Sequence, residues 1–67
     1  MKKYIDYLFE DAESGEKFFV EICKNENVTD GECFARALNI ANENFDEPVY
    51  ICEVSPEEAE TYGYDTY

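Results

Sequence analysis

Hydrophobic and polar positions along the chain change period twice. Residues 3–9 (Lys-Tyr-Ile-Asp-Tyr-Leu-Phe) and 17–24 (Lys-Phe-Phe-Val-Glu-Ile-Cys-Lys) carry the aromatic and branched side chains that favour strands. Between them lies a polar segment, residues 10–16, with Ser14-Gly15 near its end, so the two strands are expected to form a β-hairpin. In the second strand Phe18, Val20 and Ile22 share an uncharged face, which the pattern assigns to the core. Ile5, Tyr7 and Phe9 avoid the charge at Asp6 and are expected to join them. Tyr4, Leu8, Phe19 and Cys23, beside Asp6 and Glu21, fall on the opposite face, which is expected to be open and unusually apolar.

The period then becomes helical. Thr29-Asp30-Gly31-Glu32 fits a capping box, with Thr29 as the N-cap of a helix over residues 30–44. Phe34, Leu38, Ala41 and Phe45, flanked by Ala37, form its apolar stripe, and Arg36, Asn39, Asn42 and Glu43 lie opposite. Asp46-Glu47-Pro48 ends it. Residues 49–54 (Val-Tyr-Ile-Cys-Glu-Val) read as a third strand whose inward face stays open: Tyr50, Cys52 and Val54 lack charge, whereas Val49 and Ile51 are better core residues. Ser55-Pro56 starts a short second helix that Gly63 stops, followed by a four-residue tail that pairs or packs. The expected fold is α+β in one domain spanning 1–67. It has ββαβ order, a three-stranded antiparallel sheet of order 2-1-3, a packed amphipathic helix and a short C-terminal helix. A core of this size rarely nets more than about 3–5 kcal/mol.

Charge changes the picture most. Seventeen acids face five bases, for a net charge of −12. Residues 1–36 hold nine acids and five bases (−4), and residues 37–67 hold eight acids and no base (−8). A disordered acidic tail would lack aromatics, whereas this chain has five Phe and six Tyr, so it is expected to fold. A charge magnitude of about 2–8 suffices for a small domain's solubility. Salt adaptation is a second explanation for the excess, disfavoured by the many Phe, Ile, Tyr and Asn residues. The acids assigned to partner binding are Glu10, Asp11, Glu13 and Glu16 in the hairpin turn, Asp46 and Glu47 after the helix, and Glu53, Glu57, Glu58 and Glu60 near the C-terminus. A solvated acidic surface is the competing role for the same residues.

Candidate chemistry narrows the classes further. With no histidine, Ser-His-Asp and Cys-His nucleophilic arrangements are excluded. Cys23, Cys33 and Cys52 sit mostly among acids, which disfavour a thiolate, and read as small hydrophobes. Three cysteines without motif spacing argue against a disulfide framework and for a reducing, cytoplasmic setting. No signal peptide or bilayer-length apolar run is seen, so Asn27-Val28-Thr29 carries no weight as a glycosylation acceptor. Glu26 to Ala37, aligned as a calcium loop on Gly31, lacks two oxygen ligands, and Glu57, Glu58 and Glu60 suit a helix start. No metal, cofactor or catalytic residue is therefore assigned. Direct nucleic-acid binding is not expected without a basic patch.

In size, charge and inferred compact αβ build the chain resembles the small acidic phage-encoded inhibitors that mimic DNA, including many anti-CRISPR proteins. The resemblance implies occlusion of a nucleic-acid or PAM-reading site on a CRISPR effector in the cytoplasm of a bacterial host. The expected function is thus non-enzymatic inhibition of a basic, nucleic-acid-binding protein by acidic mimicry. The alternative is a small accessory or regulatory domain whose apolar sheet face pairs with a second copy, as a homodimer, or with a protein partner.

Overall fold

The computed structural model describes residues 3–67. Its elements are β1 (Lys3–Asp11), β2 (Lys17–Lys24), α1 (Asp30–Asn44), β3 (Pro48–Val54), α2 (Pro56–Tyr62) and β4 (Asp65–Thr66). The fold is α+β, as expected, but the sheet has four strands in the order β3-β1-β2-β4 and is mixed. β1 pairs antiparallel with both β2 and β3, and β4 runs parallel to β2. The expected three-stranded order is retained inside it. The correction is the added edge strand, a two-residue element too short to leave a period in the sequence.

That edge explains a second correction. β3 and β4 lie at opposite sides of the sheet, three strand spacings apart, or about 14 Å. The intervening chain must cross β1 and β2, and it does so as α2, over the face expected to be open. Leu8, Phe19 and Ala59 are buried there together, with Cys52 and Val54 packed against them. Tyr62 and Tyr64 also lean on Phe19, at ring-centroid distances of 5.7 and 5.8 Å. Gly63 lets the chain turn back by taking a left-handed conformation, φ 71°. The backbone N–H of Tyr67 then donates to the Phe19 carbonyl at 2.8 Å, and the N–H of Glu21 donates to the Tyr67 carbonyl at 3.0 Å.

The main core lies on the other face. Tyr7, Phe9, Phe18, Val20 and Ile22 meet Cys33, Ala37 and Ala41 of α1. The strand residues follow the expected alternation. The helix is rotated from its expected position: its fully buried line is Cys33-Ala37-Ala41, at i, i+4 and i+8, while Phe34 and Leu38 are half-buried flanks. Small residues on the central line let the helix approach the aromatic sheet closely, and the larger side chains fill the margins. Phe45 stacks on Phe18 at 4.0 Å, and Phe18 in turn stacks on Phe9 at 5.6 Å.

Both expected helix starts form. Thr29 and Ser55 accept hydrogen bonds from the backbone N–H of Glu32 (3.2 Å) and Glu58 (3.3 Å). In the third strand neither set of alternate residues simply faces inward. Leu8 pairs with Cys52 and Phe9 with Tyr50, leaving Ile51 as the extra residue of a β-bulge. Tyr50 therefore packs on the α1 side, against Phe34 and Phe9, while Cys52 and Val54 serve the α2 side. Val49 and Ile51 are 53% and 46% exposed.

Candidate functional site: the acidic surface

The acids at the hairpin end come from two segments that the fold joins. β1 runs two residues farther than its apolar pattern suggests, so Glu10 and Asp11 are strand residues paired with Val49 and Pro48. The backbone N–H of Ala12 donates to the Glu47 carbonyl at 2.8 Å. This locks the turn after β1 against the loop after α1. Glu13 lies beside Asp46, whose carboxylate, by hydrogen bond and charge, pushes the Glu13 carboxyl above its usual range. Glu13, Glu16, Asp46 and Glu47 are exposed and Glu10 is half-buried. Lys17, across the strands from Glu10, is the local cation.

Asp11 does not belong with these exposed acids. It is 5% exposed, and its carboxylate accepts from the Ser14 hydroxyl at 2.9 Å and from the Glu47 N–H at 3.0 Å. Burial pushes its carboxyl up, but hydrogen bonds from Ser14 and from the backbone N–H groups of Glu47, Glu13 and Ser14 outweigh that and hold it below the usual range. Asp11 thus fixes the turn to the loop, and the structure buries a carboxylate that the sequence groups with the exposed contact acids.

The C-terminal acids form a second, separate group. Glu53, Glu57, Glu58 and Glu60 are all exposed. Glu53 and Glu58 line a shallow groove with Lys3, Lys24 and Asp30, so their charge is partly compensated. Lys24 makes an ion pair with Asp30 that ties the end of β2 to the start of α1. Lys3 stands opposite Lys24, so two of the three described lysines lie at the far end of the hairpin from its acidic turn.

Two acids outside the expected contact set also come together. Asp6 and Glu21 face each other across β1 and β2, and Asp6 is 2% exposed beneath α2. Burial first, then the charge of Glu21 and a hydrogen bond to it, push the Asp6 carboxyl up to about 6. Asp6 Oδ1 has no hydrogen-bond partner among the described residues. The signal was present in the pattern, which puts both acids on one sheet face. A hairpin register would have paired them.

Cys33 is buried, Cys23 and Cys52 are half-buried, and all three are free thiols. Among the described residues no three Cys, Asp or Glu side chains converge as a metal site, and no helix is long and apolar enough to cross a membrane. Comparison with protein-family models, curated proteins and solved structures gives no match to this chain.

Proposed function

We propose that the chain is a non-enzymatic inhibitor that binds a basic, nucleic-acid-binding protein surface, its carboxylates standing in for phosphates. The observation that carries this reading is the joining of the hairpin turn to the loop after α1. Glu13 and Asp46 are distant in sequence yet close enough to raise a carboxyl pKa, and they are held on a hydrogen-bonded frame. Rigidly placed like charges cost stability and favour a cationic partner, whose Lys and Arg side chains otherwise meet the dense charge of nucleic acid, about one per 1.7 Å of duplex axis. Exposed Glu16 and Glu47 and half-buried Glu10 add further carboxylates at this end. A CRISPR effector in the bacterial cytoplasm is the partner class that the resemblance suggests. The apolar-face alternative loses support from the covering of Leu8 and Phe19 by α2.

Association with a guide-loaded CRISPR effector, measured over a salt series, tests the reading. Binding should compete with target DNA and weaken steeply as salt rises. Replacing Glu13, Asp46 and Glu47 together by Lys should slow association at least tenfold, roughly what loss of electrostatic steering costs. Replacing Glu57, Glu58 and Glu60 by Lys tests the second group. If several effectors all fail to bind, the CRISPR assignment falls. If a basic partner binds both variants like the wild type, mimicry itself falls.

A further inference from the structure

The Asp6–Glu21 pair opens into a cavity of about 390 Å3 between the sheet and α2. Its walls include Asp6, Glu21, Glu60, Tyr64 and Thr66. The acids come from three different elements, and no basic side chain among the described residues lines the space. Asp6 is part of its lining and is almost wholly buried, with Oδ1 lacking a partner among the described residues. A buried carboxylate oxygen without a donor is costly, and a second carboxylate directly opposite adds repulsion. Such a site is suited to a cation that brings its own hydrogen-bond donors.

We propose that this pocket receives the guanidinium of an arginine side chain from a protein partner. A guanidinium is planar and carries five donors in a fixed fork, so it can bridge two carboxylates from neighbouring strands. Tyr64, which also lines the space, brings an aromatic ring of the kind on which guanidinium groups stack favourably. Thr66, a further lining residue, carries a hydroxyl that can accept. A hard divalent ion is a poorer occupant, because it needs six or more oxygen ligands and no three acids converge on one point among the described residues. An ammonium answers the charge but cannot supply the planar fork that bridges two carboxylates. The inference goes beyond the acidic-mimicry reading. It concerns one side chain in one pocket on the α2 side of the sheet, and it holds or fails whether or not the hairpin end mimics nucleic acid.

An NMR titration of the whole chain at pH 7.5 and low salt tests it, with N-acetyl-arginine amide as the probe. N-acetyl-lysine amide and the neutral isostere N-acetyl-citrulline amide serve as comparisons. Arginine amide should give saturable shifts centred on the carboxyl groups of Asp6, Glu21 and Glu60 and on the Tyr64 ring, and it should lower the Asp6 pKa. Citrulline amide should give none. Asp6→Asn should weaken arginine binding at least roughly tenfold, the loss expected for one charge-assisted hydrogen bond. Glu60→Gln, an exposed substitution with no packing role, should weaken it several-fold. Glu13→Gln, at the other acidic group, should leave it unchanged. Equal responses to the lysine and arginine amides would overturn the guanidinium assignment. Non-saturable shifts spread over all acidic groups, or unchanged binding in both the Asp6 and Glu60 variants, would overturn the pocket.

Discussion

Asp6 on β1 and Glu21 on β2 are direct cross-strand partners, two carboxylates in register beneath the C-terminal segment. Like charges so placed oppose the pairing of their strands. Yet the strands hold, because Tyr7 and Leu8 beside Asp6, and Val20 and Ile22 beside Glu21, are buried in the two apolar clusters. The hydrophobic contacts on both faces position a charge pair that would not assemble by itself.

The first prediction turns that pair into pH dependence. Asp6 is raised from 3.8 to about 6 in the folded chain, so the native state binds the extra proton. Its contribution to stability is full below pH 3.8 and is lost as pH rises through about 6. The displacement corresponds to about 3 kcal/mol, at about 1.4 kcal/mol per pH unit. Glu13 acts in the same direction, whereas Asp11 and Asp30, both lowered, lose stabilising interactions as pH falls toward their own range. Stability should therefore peak on the acid side of neutrality, between about pH 4 and 6. Asp6→Asn should stabilise the protein by about 1–3 kcal/mol at pH 8 and flatten its pH profile above pH 5. Urea denaturation at several pH values measures both. An unchanged profile in the variant would show that Asp6 titrates normally.

A second prediction separates Asp11 from the exposed acids around it. Asp11→Ala removes the acceptor for the Ser14 hydroxyl and the Glu47 N–H, leaving a partly buried backbone donor unpaired. Its melting temperature should fall by several degrees, whereas Glu16→Ala or Glu47→Ala should melt within about a degree or two of the wild type, as surface substitutions do. Equal melting of all three variants would show that the turn-to-loop connection does not depend on that carboxylate.

Core truncations should rank by burial and not by residue type. Phe18 is fully buried between Phe9 and Phe45, so Phe18→Ala should cost about 3–5 kcal/mol and leave this small domain largely unfolded. Phe34 is half-buried and touches Tyr7 and Tyr50 edge-on at 6.0 and 5.0 Å, so Phe34→Ala should cost about half as much. Ala37→Leu should be more damaging than Phe34→Ala, because it forces bulk onto the helix line closest to the sheet. Circular dichroism at rising urea gives the order.

Local signals made much of this fold legible. Thr29 and Ser55 announce their helices through hydroxyl caps, and the uncharged set Phe18, Val20 and Ile22 identifies the core face of β2. Parity arguments fail at β3 because the bulge at Ile51 reverses which residues face which side after Tyr50. No alternation rule can anticipate an inserted residue. The α1 stripe is shifted from the one its largest apolar residues mark, because close packing on the aromatic sheet favours Cys33, Ala37 and Ala41 on the central line. As for the site, the acids were individually visible. Their grouping was not, since Glu13–Asp46 and Asp6–Glu21 are made by tertiary contact, and Asp11 looks like its neighbours until its hydrogen bonds are known.

The last prediction concerns the hinge that closes the α2 side. Gly63 has φ 71°, a region costing a β-carbon-bearing residue roughly 1 kcal/mol or more. A methyl group there would meet nothing within 4 Å, so substitution acts through the backbone and not through a clash. Gly63→Ala should therefore loosen the return of the chain onto β2 while leaving the main core intact. The Glu21 and Tyr67 amides, which join β2 to the C-terminal segment, should exchange with solvent about fivefold faster, as roughly 1 kcal/mol implies. Amides between β1 and β3 should change far less. Gly63→Asn, a residue more tolerant of the left-handed region, should fall between wild type and alanine. Loosening the segment also lets water reach Asp6, so its pKa should move back from about 6 toward 3.8 in the alanine variant. Equal behaviour of the alanine and asparagine variants would reject the backbone explanation. Faster exchange with no change in the Asp6 pKa would instead show that α2 alone, independent of the segment beyond Gly63, keeps that carboxyl dry.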